Sequence, residues 1–154
     1  MSRHVELFPI KRDGAVDIDA SALSSEVPEV LHATVGLYEL AGFVPPWICY
    51  IAMCDGHVVG TCGFKSAPAQ GRVEIAYFTF PAFEGDGVAT ATALELLALA
   101  NRADPAVTVA AQTLTLRNAS HRVLEKHGFT CIGTIEHPGD GTVLEWQRAA
   151  RRVA

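Results

Sequence analysis

The chain has 154 residues, of which 49% are hydrophobic and 19% charged, and its formal net charge is −5. That length fits one domain with a sizeable core, so a single domain over residues 1–154 is expected, and the composition argues against disorder. The acidic balance, with no basic run beyond Arg151-Arg152, speaks against a nucleic-acid partner.

The longest apolar stretch, within Val88–Ala100, is broken by Thr90, Thr92 and Glu95 and is too short to cross a bilayer. The first residues, MSRHVELF, lack the apolar core of a signal peptide, so the expectation is a cytoplasmic protein with no membrane partner. Cys49, Cys54, Cys62 and Cys131 show no C-x-x-C spacing and lie in apolar runs, as small buried hydrophobes do.

In chain order, Val5–Ile10 reads as a strand. The polar, turn-rich Asp17–Ser25 could cap a first helix. Pro28 suits a helix start, and Val30, Leu31, Thr34, Val35, Tyr38 and Leu40-Ala41 continue an amphipathic pattern to Gly42. Ile48–Cys54 and Val58–Phe64 flank Asp55-Gly56 as a hairpin, and a two-residue turn there would set Cys49 opposite Cys62, close enough for a disulfide or for two neighbouring thiols.

The stretch Val73–Ala100 organises the rest. VEIAYFTF is β-branched or aromatic at most positions, with Glu74 its one charge; Pro81 ends the strand; Glu84-Gly85-Asp86-Gly87 is a glycine-bearing loop; and an Ala- and Leu-rich helix opens at Val88. The first N–H groups of a helix have no partner within it, and the helix dipole adds partial positive charge there. A strand–loop–helix of this kind is an anion site, with phosphate the expected ligand class.

Beyond Asp104-Pro105, Val107–Thr113 is a further strand, parallel to Val73–Phe80 because a helix separates them. Asn118 suits the N-cap of a short helix, Ser120–His127, which Gly128 stops. Phe129–Ile135 and Thr142–Gln147 close the chain as a hairpin around Pro138-Gly139-Asp140-Gly141. The expected order is β-α-α-β-β-β-α-β-α-β-β in one mixed α/β domain.

Two motifs within that order carry a resemblance. Glu84-x-x-Gly87-x-Ala89, followed by Thr90, matches the pattern Q/R-x-x-G-x-G/A. The run Asn118-Ala119-Ser120-His121-Arg122-Val123-Leu124-Glu125-Lys126-His127-Gly128-Phe129 matches an N-A-S-x-R-V-L-E-K-x-G-F signature. The chain resembles the GCN5-related N-acetyltransferases (GNAT), in the branch that includes the ribosomal-protein N-terminal acetyltransferases.

The resemblance implies a mixed, mostly antiparallel central sheet with helices on both faces and a parallel, splayed strand pair. It also implies acetyl-CoA as co-substrate and acetyl transfer to a primary amine, of a small molecule or a peptide N-terminus, by direct attack on the thioester. The pyrophosphate would sit on backbone N–H groups from Gly85, Asp86, Gly87, Val88, Ala89 and Thr90 beside Glu84. The pantetheine arm would pair with the strand end at Phe78, Thr79 and Phe80, and Asn118 would reach the cofactor. Three positions depart from the pattern: Glu84 stands where the family has Gln or Arg, Asp86 where it often has a basic residue, and Leu124 where many members place a proton-donating tyrosine.

The attacking amine must be neutral, although an α-amino group has a pKa of about 7.7–8.0 and a lysine about 10.4. A base therefore helps, and Glu74 is the carboxylate on the central strand; the bland alternative is a structural Glu bonded to a neighbouring strand. A strand N–H near Phe78 could polarise the carbonyl. Ser120 could protonate the leaving thiolate or simply cap its helix.

Arg117 and Arg122 could meet a CoA phosphate or form a solvated face. His121 and Glu125 make no metal site by themselves, so no metal is expected. Trp47 and Tyr38 read as packing more readily than as acceptor walls. A CoA-binding domain without catalysis is the alternative function. A nicotinamide dehydrogenase is set aside because Val107–Thr113 ends in Gln112-Thr113, not in a ribose-binding carboxylate. Neither the acceptor nor a homodimer is decided by sequence.

Overall fold

The computed structural model describes residues 4–19 and 25–149. Their elements are β1 (Glu6–Pro9), α1 (Val27–Ala41), β2 (Cys49–Cys54), β3 (His57–Phe64), β4 (Arg72–Thr79), α2 (Val88–Ala103), β5 (Thr108–Leu114), α3 (Ala119–Lys126), β6 (Thr130–His137) and β7 (Gly141–Arg148). They build a seven-stranded mixed sheet in the order β1-β2-β3-β4-β5-β7-β6, with helices on both faces and β4–β5 as its parallel pair. The expected α/β class and the parallel crossover are both present. Of the two helices expected before β2, the described residues contain α1 alone; residues 20–24 of the Asp17–Ser25 stretch lie outside the described residues.

Helix α2 forms because Ala and Leu dominate it, and it docks because Val88, Thr92, Ala93, Leu96, Leu97 and Ala100 recur at helical spacing and are buried. Full burial of a side chain such as Leu96 contributes roughly 1.5–3 kcal/mol. Helix α1 is tied down by a polar strut instead. The Tyr38 hydroxyl donates to the Ile10 carbonyl at 2.8 Å and accepts the Cys49 N–H at 2.9 Å, joining α1 to β1 and β2. Tyr38 is thus a core residue, and Trp47 packs edge-on against Phe64 with ring centroids 5.1 Å apart.

The hairpin β2–β3 turns at Asp55-Gly56, but the expected facing of Cys49 and Cys62 does not occur. The pairs Cys54–His57 and Met53–Val58 are followed by Ala52–Gly60, so Val59 is an extra residue and every later pair shifts by one. Tyr50 stands opposite Cys62, and Cys49 opposite Gly63. All four cysteines are free. Burial pushes the Cys49 thiol from 9.0 up to about 11, and raises the Cys62 thiol as well.

Strands β4 and β5 pair through Arg72–Thr108, Val73–Val109 and Glu74–Ala110, and no further. Beyond Glu74 the two strands separate, and the site lies where they part.

Candidate active site

The end of β4, the loop after it, the first turn of α2 and the start of α3 enclose a cleft of about 730 Å³. Of the residues expected to bind the cofactor, Phe78, Thr79, Glu84, Gly85, Gly87, Val88, Ala89 and Thr90 line it. Gly87 is the N-cap of α2 at φ 78°, a left-handed conformation that a side chain would strain, and nothing lies within 4 Å of where its Cβ would stand. The first helical bond runs from the Ala91 N–H to the Gly87 carbonyl at 3.1 Å, so the N–H groups of Val88, Ala89 and Thr90 have no helical acceptor. They open onto the cleft with the positive end of the dipole behind them.

Three expected cofactor residues fall elsewhere. Phe80 is 2% exposed, a core residue, and its N–H donates to the Val59 carbonyl at 2.9 Å. Asp86 and Asn118 do not line the cleft; the Asn118 carboxamide accepts the Ser120 N–H at 2.9 Å, the N-cap of α3. Because Asn118 supplies that cap, the Ser120 hydroxyl is not needed for it. Ser120 lines both the cleft and a smaller cavity of about 100 Å³ between the parting strands, where Tyr77, Thr113 and Leu124 also stand.

Backbone direction along β4 moves another expectation. The Phe80 N–H donates to Val59 on β3, and the Glu74 carbonyl accepts the Lys65 N–H at 2.9 Å. Alternation then turns Phe78 to β3 as well, and its carbonyl oxygen is 2.2 Å from where a Cβ on Gly60 would stand. Tyr77 and Thr79 turn the other way, towards β5, past the last β4–β5 pair. The open backbone donors at the cleft are therefore those of Tyr77 and Thr79, not of Phe78, a residue 55% exposed.

Glu74 does not line the cleft. Its side chain is 14% exposed and ion-paired with Lys65, with the Arg72 guanidinium 4.0 Å away; Arg72 in turn pairs with Glu145. It shares its face of β4 with Ala76 and Phe78. His121 and Glu125 are engaged separately: His121 Nε2 lies 3.1 Å from the Thr113 hydroxyl and 2.9 Å from the Leu114 carbonyl, while Glu125 pairs with Arg117 at 2.6 Å. Arg122 lines the cleft.

Sequence reasoning missed Tyr77 and Lys65. The Tyr77 hydroxyl is buried without a hydrogen-bond partner, and burial pushes its pKa from 10.0 up to about 12. It was readable as the phenol of the central strand; Lys65 carried no local signal.

A strand parting from its parallel neighbour above a glycine-capped helix N-terminus defines a site for an anionic, extended ligand. The acetyltransferase (GNAT) domain family matches residues 29–130, and the chain belongs to that family. A comparison with curated protein sequences gives no match.

Among solved structures, a GnaT-family acetyltransferase from Bordetella pertussis is 20% identical, covers 97% of this chain and 98% of its own, and superposes with a TM-score of 0.65. RimL, the ribosomal L7/L12 alpha-N-protein acetyltransferase solved with coenzyme A, is 17% identical over 96% of this chain and 95% of its own, with a TM-score of 0.69. The microcin C7 self-immunity acetyltransferase MccE, solved with acetyl-CoA and AMP, is 13% identical over 81% and 71%, with a TM-score of 0.62. At these identities the likeness is one of fold.

Proposed function

We propose that the chain is an acetyl-CoA-dependent N-acetyltransferase acting on a primary amine, of a small molecule or a peptide N-terminus. The observation that carries this reading is the set of unpaired N–H groups at Val88, Ala89 and Thr90, opening onto a cleft that continues to the free backbone of Tyr77 and Thr79. Family membership supports it, as do the relatives solved with coenzyme A or acetyl-CoA.

The residues present fit such a donor. Two positive-φ glycines, Gly85 and Gly87, leave the loop backbone open to phosphate oxygens, and Arg122 adds a cation beside it. Glu84 opposes this by charge, a local cost against several backbone donors. The Thr79 N–H can take an amide of an extended arm as an added strand would.

Acetyl-CoA supplies an activated acetyl carbon: the amine lone pair forms the C–N bond, the C–S bond breaks, and its electron pair leaves on sulfur. Glu74 receives the amine proton, directly or through water, and releases it to solvent. The Tyr77 N–H polarises the acetyl oxygen as charge gathers there. Ser120, between the cleft and the gap, donates a hydrogen bond to the departing sulfur.

A CoA-binding domain without turnover is the second reading, favoured by Leu124, which is 1% exposed and offers no proton at the family's tyrosine position. Thiol release from acetyl-CoA, measured across an amine panel, separates the two. The expected result is amine-dependent release. Thermal protection by CoA with no release from any amine would leave the binding domain standing in its place.

A further inference from the structure

Against the opposite face of β4 lies a second pocket, of about 180 Å³, walled by Leu37 of α1, by Cys49, Thr61 and Gly63 on β2–β3, by Ala76 on β4 and by Lys65. It shares Tyr77 and Phe78 with the cleft, so the two cavities meet at the end of β4. Ala76 and Phe78 place it on the face of β4 that carries Glu74, and Lys65 at its rim is the partner of Glu74. An amine seated there would stand with the carboxylate on its own side of the strand and the cleft across it.

The lining also selects. It is mostly aliphatic, aromatic, thiol or glycine, with Thr61, Tyr77 and the Lys65 ammonium bringing polar groups and no carboxylate among the lining residues. The nearby Glu74 already answers Lys65 and faces Arg72. A second positive charge on an acceptor would find no counter-ion and would lose its hydration. The volume suits one ring or branched alkyl group, since a cavity of about 150 Å³ holds benzene.

We infer that this pocket receives the apolar substituent of the acceptor, and that the acceptor class is a primary amine bearing one uncharged aryl or branched-alkyl group, as opposed to a polyamine or an amino sugar. The inference rests on the N-acetyltransferase reading and names the substrate class of that site. The same chemistry is offered by a free arylalkylamine and by a peptide beginning with Phe or Leu.

The test compares phenethylamine, a Phe-initiated peptide, a Ser-initiated peptide and spermidine as acceptors, using the wild type and Ala76→Leu. Ala76 is exposed and lines this pocket and the edge of the smaller cavity between the parting strands, but not the cleft. The larger side chain therefore crowds the acceptor side without entering the core or the cofactor cleft. Phenethylamine or the Phe-initiated peptide should exceed spermidine and the Ser-initiated peptide in kcat/KM; whichever of the first two is faster identifies the source.

Ala76→Leu should cut that preferred kcat/KM by about 10-fold or more, chiefly through KM, with acetyl-CoA affinity unchanged by calorimetry. Spermidine as the best acceptor, or an Ala76→Leu variant that treats phenethylamine as wild type does, overturns the acceptor class while leaving the acetyltransferase standing. Binding of acetyl-CoA with no transfer to any of the four overturns this acceptor class, and the wider amine panel then decides whether the acetyltransferase reading stands.

Discussion

The Lys65 ammonium is ion-paired with the Glu74 carboxylate, linking the end of β3 to the face of β4 that carries Ala76 and Phe78. The pair sets the Lys65 ammonium against a carboxylate that is 14% exposed, at the edge of an apolar pocket. Glu74→Gln keeps the shape and removes the basicity. Its kcat/KM should fall by roughly 10²-fold, the scale of general-base loss, and the loss should shrink as pH approaches the acceptor amine's own pKa. A pH–rate profile checks this; a pH-independent loss would make Glu74 a positioning residue, and no loss would make it structural. Lys65→Met should lower stability by about 1–3 kcal/mol, read as a fall in Tm, because it removes the ion-pair partner of a carboxylate that is 14% exposed.

Gly87 caps α2 at a positive φ. Gly87→Val should weaken acetyl-CoA binding by more than 10-fold, by straining the turn and crowding the N–H groups of Val88–Thr90, with roughly 1–2 kcal/mol of strain. Gly141→Ala, at φ 71° in the last hairpin, controls for strain alone and should lower Tm with no change in affinity. Calorimetry and melting curves on both variants separate the effects; unchanged affinity in a folded Gly87→Val protein would remove the phosphate assignment.

Asn118 and Ser120 divide capping from chemistry. Asn118→Ala should cost about 1 kcal/mol of stability, the usual value of an N-cap, with turnover in the folded fraction near normal. Ser120→Ala should lower kcat more than it raises the KM for acetyl-CoA, with Tm held, because its side chain is not the cap. Full activity in Ser120→Ala would end its role towards the sulfur.

Burial raises Tyr50 and Tyr77 from 10.0 to about 12 and Cys49 from 9.0 to about 11. The unfolded chain therefore sheds these protons first as pH rises. Their contribution to stability is fully present below pH 9.0 and is lost as pH climbs towards about 12. Melting curves across that alkaline window should show a falling Tm. Tyr77→Phe should flatten the fall, and should hold or raise Tm at neutral pH, because it removes a buried hydroxyl that has no partner. A clear loss of Tm at neutral pH would mean the hydroxyl is bonded in solution.

The strand–loop–helix from Val73 to Ala100, the hairpin turn at Asp55-Gly56 and the Asn118 cap were all legible in the residues, because each is a local signal: alternation, left-handed glycine, Ala and Leu propensity, a carboxamide two residues before an N–H. Tertiary structure alone decided the rest. The bulge at Val59 cannot be read from alternation, since the residue left unpaired depends on both strands at once, and it separated the expected Cys49–Cys62 facing. Whether Phe78 or Tyr77 and Thr79 turn their backbone to the cleft depends on which neighbour claims which parity of β4, and β3 claimed Phe78. The Lys65–Glu74 pair and the pocket under Leu37 join elements distant in sequence, so they exist only once the strands have paired and α1 has docked.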